Sequence, residues 1–230
     1  MQTSGTLYIV STPIGNLEDI TLRALRVLGE VDLVAAEDTR RTHRLLTHYN
    51  INTSVTSFFQ GNEHAKLRGL VDRLVLGASI ALVSDAGTPA ISDPGYLLVV
   101  GAIKSGIMVV AIPGVTACIS AASVSGMPLH NFAFEGFLSP KSGKRKRKLA
   151  KLHQDERTMI FYESPHRLIK FLVDVGEILG DRQVCIAREL TKKYEEIFYG
   201  TVSEAIAKFN SQRPRGEFTI VVAGGDPRAG

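Results

Sequence analysis

The sequence predicts an α/β protein of two domains, and three observations predict it. Short β-rich runs alternate with helical periodicity from end to end. An apolar content of 44% over 230 residues supplies one large core or two smaller ones. Near the middle, Pro113-Gly114 breaks the pattern after a strand and divides the chain into residues 1–113 and 114–230, each an α/β domain.

In the first domain, Leu7 to Val10 reads as a strand, followed by a helical segment reaching Leu28 and a second strand over Leu33 to Ala36. Asp38 leads into a helix. Apolar Leu67, Leu70, Val71, Leu74 and Val75 share one face of another helix, which stops at Gly77. Ile80 to Val83 is then a buried strand, Tyr96 to Ile103 a helix ending near Gly106, and Ile107 to Ile112 a strand. The second domain opens with a small-residue helix over Thr116 to Val124 and a strand around Phe132-Ala133-Phe134, followed by a basic loop. Thr158 to Tyr162 is a strand, after which Ser164-Pro165 is expected to cap and open a helix. Leu168, Phe171, Leu172, Val175, Ile178 and Leu179 form that helix's core stripe, and Gly180 closes it. Val184 to Ala187 is a strand, Ile197-Phe198-Tyr199 an edge hairpin, Thr201-Val202-Ser203-Glu204 a capping box, and Glu217 to Val222 the closing strand.

Composition excludes several classes. Cys118 and Cys185 show no paired spacing and lie in apolar stretches, which suits buried thiols in a reducing, cytoplasmic setting. The start of the chain has no basic segment before its first apolar run, so no export signal is expected. No apolar run approaches the roughly 20 residues that span a bilayer. The six histidines lack ligand spacing, so no metal is expected. The net charge of +4 is unevenly spread. Lys141, Lys144, Arg145, Lys146, Arg147, Lys148 and Lys151 lie within eleven residues that hold no acid. Such a run suits a nucleic-acid backbone, the alternative being a solvated helix face. Beside Ser139-Pro140 and Gly143 it is expected to be a mobile loop that closes on RNA. Arg40 and Arg41 are further candidates for phosphate contact, the alternative for this segment being that Asp38 is only a cap.

Three turns carry the chemistry. Ser11-Thr12-Pro13-Ile14-Gly15-Asn16 follows the first strand, where open α/β sheets bind ligands, and otherwise reads as a plain turn with Asn16 as cap. Ser84 to Gly95 runs twelve residues, long for a connection of this kind, and its small residues admit a ligand close to the backbone. Within it Asp85 ends the strand as a hydrogen-bond acceptor, and Asp93 is better read as the cap of the next helix. Ile112-Pro113-Gly114-Val115-Thr116-Ala117 ends a third strand.

Together these turns resemble the tetrapyrrole methylase superfamily. Thr12 to Leu17, Ala36-Glu37-Asp38-Thr39-Arg40, Ser84 to Pro89, Phe134 to Leu138, Phe161 to Arg167 and Arg188 to Lys192 are similar, in order, to the branch that methylates small-subunit ribosomal RNA. The resemblance covers nearly the whole chain. It implies a homodimer that transfers a methyl group from S-adenosyl-L-methionine, bound in the cleft between two α/β domains, to the ribose 2′-hydroxyl of cytidine 1402 in 16S rRNA. It also implies cofactor contacts from Pro13, Gly15, Asp85, Gly87, Ala90, Ile91, Thr116, Ala117, Tyr162, Glu163, Ser164, Glu217, Phe218 and Thr219. A proton acceptor for the hydroxyl is then sought among Glu135, Glu189 and Asp38, with Arg188 and Lys192 anchoring phosphate. The alternatives are a tetrapyrrole methyltransferase and a non-catalytic RNA-binding module. Ser11-Thr12-Pro13 in place of a glycine-rich first turn argues against a tetrapyrrole acceptor. Many members of that branch carry a small helical C-terminal extension, whereas this sequence ends at Gly230 soon after its last strand, which is expected to bear on docking.

Overall fold

The computed structural model describes residues 4–211 and 214–225, and the chain divides into two compact units, Met1–Thr116 and Ala117–Gly230. In the first, β1 (Thr6–Val10), β2 (Leu33–Ala36), β3 (Val55–Ser57), β4 (Ile80–Val83) and β5 (Met108–Ile112) form a parallel sheet in the order β3-β2-β4-β1-β5. The helices between them are α1 (Leu22–Glu30), α2 (Thr39–His48), α3 (Glu63–Val75) and α4 (Tyr96–Lys104). Alternation along the strands explains how both faces are covered. Val34, Ala36, Ala81 and Val83 pack with Val27 and Leu28 of α1 and Leu46 of α2. Leu33, Ala35, Ile80 and Leu82 pack with Leu70 and Leu74 of α3 and Leu98 of α4. The chain therefore leaves β1 and β2 toward one face and leaves β4, which lies between them, toward the other. That reversal opens a crevice on each side of the carboxyl end of β4.

The second unit contains α5 (Ala117–Ser123), β6 (Phe132–Phe137), α6 (Ser142–Leu152), β7 (Thr158–Glu163), α7 (Leu168–Leu179), β8 (Gln183–Arg188), β9 (Glu196–Thr201), α8 (Val202–Ser211) and β10 (Phe218–Val222). Its sheet runs β6-β7-β10-β8-β9, with only β6 and β7 parallel. Met159, Phe161, Ile220 and Val222 face α6, α7 and α8, while Ile160, Cys185 and Val221 face α5. The stripe expected on α7 is buried, with Leu168, Phe171, Leu172 and Val175 at 0% exposure. The capping box also forms: the Thr201 N–H donates to Glu204 Oε2 at 2.8 Å and the Glu204 N–H donates to Thr201 Oγ1 at 3.3 Å.

The structure corrects two expectations and adds one strand. Residues 142–152 form a helix, not a loop, because Arg145, Leu149 and Leu152 at i, i+4 and i+7 dock on the core. Arg145 is 2% exposed, and its Nε donates to Asp174 Oδ2 of α7 at 2.6 Å. Helix α7 starts at Leu168 rather than at Ser164-Pro165, since a turn intervenes in which the Ser164 carbonyl accepts from both Arg167 and Leu168. Strand β3 is unforeseen because three half-buried residues are too few to display a period. No helix among the described residues is long and apolar enough to cross a membrane.

Candidate functional site

The three turns of the first unit meet. Thr12 and Gly87 exchange backbone hydrogen bonds at 2.9 Å each way, and Thr12 Oγ1 donates to the Ser84 carbonyl at 3.3 Å. A chain of hydroxyls then links all three: Ser11 Oγ lies 2.9 Å from Thr88 Oγ1, which lies 2.6 Å from Thr116 Oγ1. A Cβ on Gly114 would fall 2.8 Å from Ser11 Cβ, so this approach needs glycine. Ala90 and Ser92 hold left-handed backbone at φ 67° and 66°, a strained geometry that recurs in ligand-holding loops. Pro13, Gly15, Asp85, Gly87, Ala90, Ile91 and Thr116 thus belong to one cluster of turns at the carboxyl edge of the sheet.

Asp85 is the hub of a charged group. The parallel pairing of Ala36 with Val83 brings two strand ends side by side. Asp85 Oδ1 accepts the Asp38 N–H at 2.9 Å, Glu37 Oε2 accepts the Asp85 N–H at 3.3 Å, and Arg41 Nε lies 3.5 Å from Asp85 Oδ2. A crevice of about 440 Å³, lined by Thr12, Pro13, Leu17, Arg41, Arg44 and Asp85 among others, opens on the α2 side. A second, of about 430 Å³, is lined by Glu37, Gln60, His64, Asp93 and Tyr96 among others. Burial pushes Asp93 up to about 6, helped by the charge of Glu37, and burial also raises Glu37. Asp93 is not the cap the sequence suggested, because Gly95 holds that position on α4 with no side-chain cap bond.

All three expected proton acceptors are held by cations. Asp38 caps α2 by accepting the Arg40 N–H at 2.8 Å, and Arg40 Nη2 lies 2.8 Å from Asp38 Oδ2. The Arg40 guanidinium holds this carboxyl far below the usual range, making it a weak base. Glu135 sits at a register break between β6 and β7, where a bulge re-aims a side chain, and pairs with Lys148 at 2.6 Å. For Glu189, burial would raise the pKa, but the hydrogen bonds from Lys192 and the Glu217 N–H outweigh it and leave it lowered. Glu189 and Thr191 are left-handed at φ 50° and 66°, and a Cβ on Gly216 would lie 2.4 Å from Glu189 Cγ. Glu37 and Asp93 are not among the bases expected from the sequence. Both stand in segments that the sequence singles out, but only the pairing of β2 with β4 brings those segments together.

In the second unit, Tyr162 pairs with Thr219 across β7 and β10. The Cys118 N–H donates to Tyr162 Oη at 3.1 Å, and the rings of Phe134 and Phe137 lie 5.0 and 5.5 Å from that of Tyr162. Ala117 begins α5. The Glu163 side chain points inward, accepting the Ser164 N–H at 2.8 Å and Arg167 Nη2 at 2.9 Å, so its carboxylate is engaged within the fold. Phe218 is likewise a core residue, 2% exposed, whereas Glu217 is exposed and pairs with Lys192 at 2.8 Å. Of the expected RNA contacts, Arg145 is buried and unavailable, Lys146 pairs with Glu177, and Arg188 donates to the Arg215 carbonyl and to Glu196. Lys141, Lys144 and Arg147 are exposed with no carboxylate partner among the described residues. Among the same residues, no group of three or more His, Cys, Asp or Glu is placed to hold a metal ion.

Known proteins are similar to this chain in sequence or in fold. The family model described as tetrapyrrole (corrin/porphyrin) methylases matches residues 6–206. The chain belongs to that family. Within it, the chain is 51% identical over 220 residues to the ribosomal RNA small subunit methyltransferase I of Halalkalibacterium halodurans, covering 96% of this chain and 76% of that protein. It is also 51% identical to the protein of the same name from Thermotoga maritima, covering 96% of this chain and 99% of the relative. The crystal structure of uroporphyrin-III C-methyltransferase from Thermus thermophilus complexed with S-adenosylhomocysteine superposes with a TM-score of 0.66 at 19% identity, covering 94% and 97% of the two chains. At that identity it supports the methylase fold alone.

Proposed function

We propose that this tetrapyrrole methylase family member is an S-adenosyl-L-methionine-dependent methyltransferase that modifies the ribose 2′-hydroxyl of a cytidine, cytidine 1402, in 16S rRNA of the small ribosomal subunit. The observation that carries it is the hydroxyl-linked meeting of the turns after β1, β4 and β5, in a chain half-identical to two proteins named for small-subunit rRNA methylation. The glycine-enforced approach of Gly114 to Ser11 and the acceptor at Asp85 form a cradle that fits a nucleoside cofactor. Pro13, Gly15, Asp85, Gly87, Ala90, Ile91 and Thr116 would hold it in the first unit, and the candidates within the second unit are Ala117, Tyr162, Ser164 and Thr219. When bound, the cofactor supplies an electrophilic methyl group on a sulfonium centre.

The chain's own contribution is chiefly position, since a near-attack arrangement of acceptor and donor removes much of the entropic barrier. A ribose hydroxyl is a poor nucleophile at neutral pH, and a carboxylate near neutrality takes its proton most effectively. By that criterion Asp93, at about 6, is better suited than Asp38. Glu135 and Glu189 would first have to release Lys148 and Lys192. Lys141, Lys144 and Arg147, exposed on or beside α6, supply cations for the RNA backbone, whereas Arg40 and Arg41 on α2 would first have to release Asp38 and Asp85. We further propose that the enzyme acts in the cytoplasm as a homodimer. Two free, buried cysteines agree with a reducing compartment, and exposed Ile119, Phe137 and Tyr199 offer apolar surface.

The test is labelled-methyl transfer to small subunits from cells lacking this modification. Label in one alkali-resistant ribose site is expected. Transfer to a porphyrinoid substrate instead, or no transfer at all, would overturn the proposal.

A further inference from the structure

The crevice on the α2 side of β4 contains a cation that the sequence reading did not use. Arg41 and Arg44 are three residues apart on α2, so both project from one helix face, and both line the crevice with Leu45 and Thr42. Across from them stand Thr12, Pro13 and Leu17 of the first turn, with Ser84 and Asp85 at the end of β4. The charges are unequal in availability. Arg41 lies 3.5 Å from the Asp85 carboxylate, which offsets its charge. Arg44 is exposed, and its side chain has no hydrogen-bond or ion-pair partner among the described residues. The crevice therefore carries one uncompensated positive charge above a largely apolar wall of Pro13, Leu17 and Leu45. A volume of about 440 Å³ is of the size that admits a nucleotide.

We infer that Arg44 is the phosphate-binding residue of an acceptor-strand subsite: the crevice seats one phosphodiester of single-stranded RNA against Arg44, with the attached ribose lying toward Asp85. This rests on the reading that the acceptor is RNA, and it adds the place where the strand enters. A phosphodiester carries one negative charge, equal to the excess charge in the crevice. A guanidinium binds two phosphate oxygens at once, which fixes the strand's register as well as holding it. The same cation could instead receive the carboxylate of the methyl donor, and the experiment separates the two sources of negative charge.

Binding of a short fluorescent single-stranded RNA and of S-adenosylhomocysteine is measured for the wild-type chain, Arg44→Ala and Arg44→Lys, with Arg73→Ala on α3 as a control. Arg44→Ala is expected to weaken RNA binding about tenfold and to reduce the salt dependence of log affinity by about 0.7, one phosphate contact on a single strand. Arg44→Lys keeps most of the salt dependence while losing part of the affinity. S-adenosylhomocysteine binding is unchanged in every variant, and Arg73→Ala matches the wild type throughout. With small subunits as substrate, Arg44→Ala raises KM and leaves kcat near that of the wild type. RNA affinity indifferent to Arg44→Ala, absence of RNA binding by the wild type, or a loss confined to S-adenosylhomocysteine would each overturn the assignment. A wild-type chain that binds RNA through Arg44 but transfers no methyl would count against the proposed activity and not against this subsite.

Discussion

Helices α2 and α6 are both rich in basic residues, yet the structure uses their charge in different ways. The denser run belongs to α6, but Arg145 is buried against Asp174, Lys146 is paired with Glu177 and Lys148 with Glu135. Helix α2 has fewer cations, and two of them line a crevice at the ends of the parallel strands. A count of charges along a sequence measures what the chain carries; partner geometry determines what it can present to a ligand. The opposite faces of α6 illustrate this within one helix. Arg145, Leu149 and Leu152 anchor it, while Lys144, Arg147 and Lys151 point to solvent.

The largest effect that would sharpen the contrast is on stability. Arg145→Met leaves Asp174 buried without its main partner and should cost about 3–5 kcal/mol in urea unfolding. Adding Asp174→Leu should recover much of that loss, because an apolar pair can replace a buried ion pair of similar size. A single variant no less stable than the wild type would show that the buried pair does not anchor α6. Next in size, replacing Lys144, Arg147 and Lys151 together by alanine should reduce RNA affinity at low salt by more than tenfold, with an unchanged unfolding midpoint. Loss of stability with no loss of RNA binding would reverse the roles assigned to the two faces. A smaller effect, about 1 kcal/mol, is expected at an unrelated helix start: Thr201→Ala removes the acceptor for the Glu204 N–H, and thermal unfolding would register it.

A further effect concerns the carboxylates, where the same distinction between engaged and available groups recurs. Glu163 is buried but satisfied by Ser164 and Arg167, whereas Asp93 is raised to about 6 by burial and by Glu37. A carboxyl with a raised folded pKa favours the fold below its unfolded pKa and loses that contribution as pH climbs through the folded value. Between about pH 4 and 6 the wild type should therefore lose stability relative to Asp93→Asn. The variant should melt higher at neutral pH, with no advantage near pH 3. A pH-independent difference between the two would remove Asp93 from consideration as a group held near neutrality.

Much of the fold was legible because it depends on period and caps. The α7 stripe, the Thr201–Glu204 box and the four-residue strands β2 and β4 announce themselves locally. Helix α6 did not, because a charged residue occupies a position where the helical pattern calls for an apolar one, and its neutralising partner lies 29 residues away on α7. The turns of the first unit were visible as unusual loops, and their meeting follows from the order β4-β1-β5. The proton affinities of Glu37 and Asp93 were invisible, since burial and the charge of neighbouring carboxylates act only when separate strand ends are brought together. Arg44 was hidden for a similar reason: nothing in its immediate sequence separates it from an ordinary solvent-facing arginine.

If the turns joined by Ser11, Thr88 and Thr116 hold the methyl donor, calorimetric titration with S-adenosylhomocysteine will register it. One molecule should bind per chain, and Thr88→Val, which removes the shared hydroxyl while keeping the shape, should weaken binding about tenfold. A wild-type titration without heat of binding, or an affinity untouched by Thr88→Val, would show that these turns do not hold the donor.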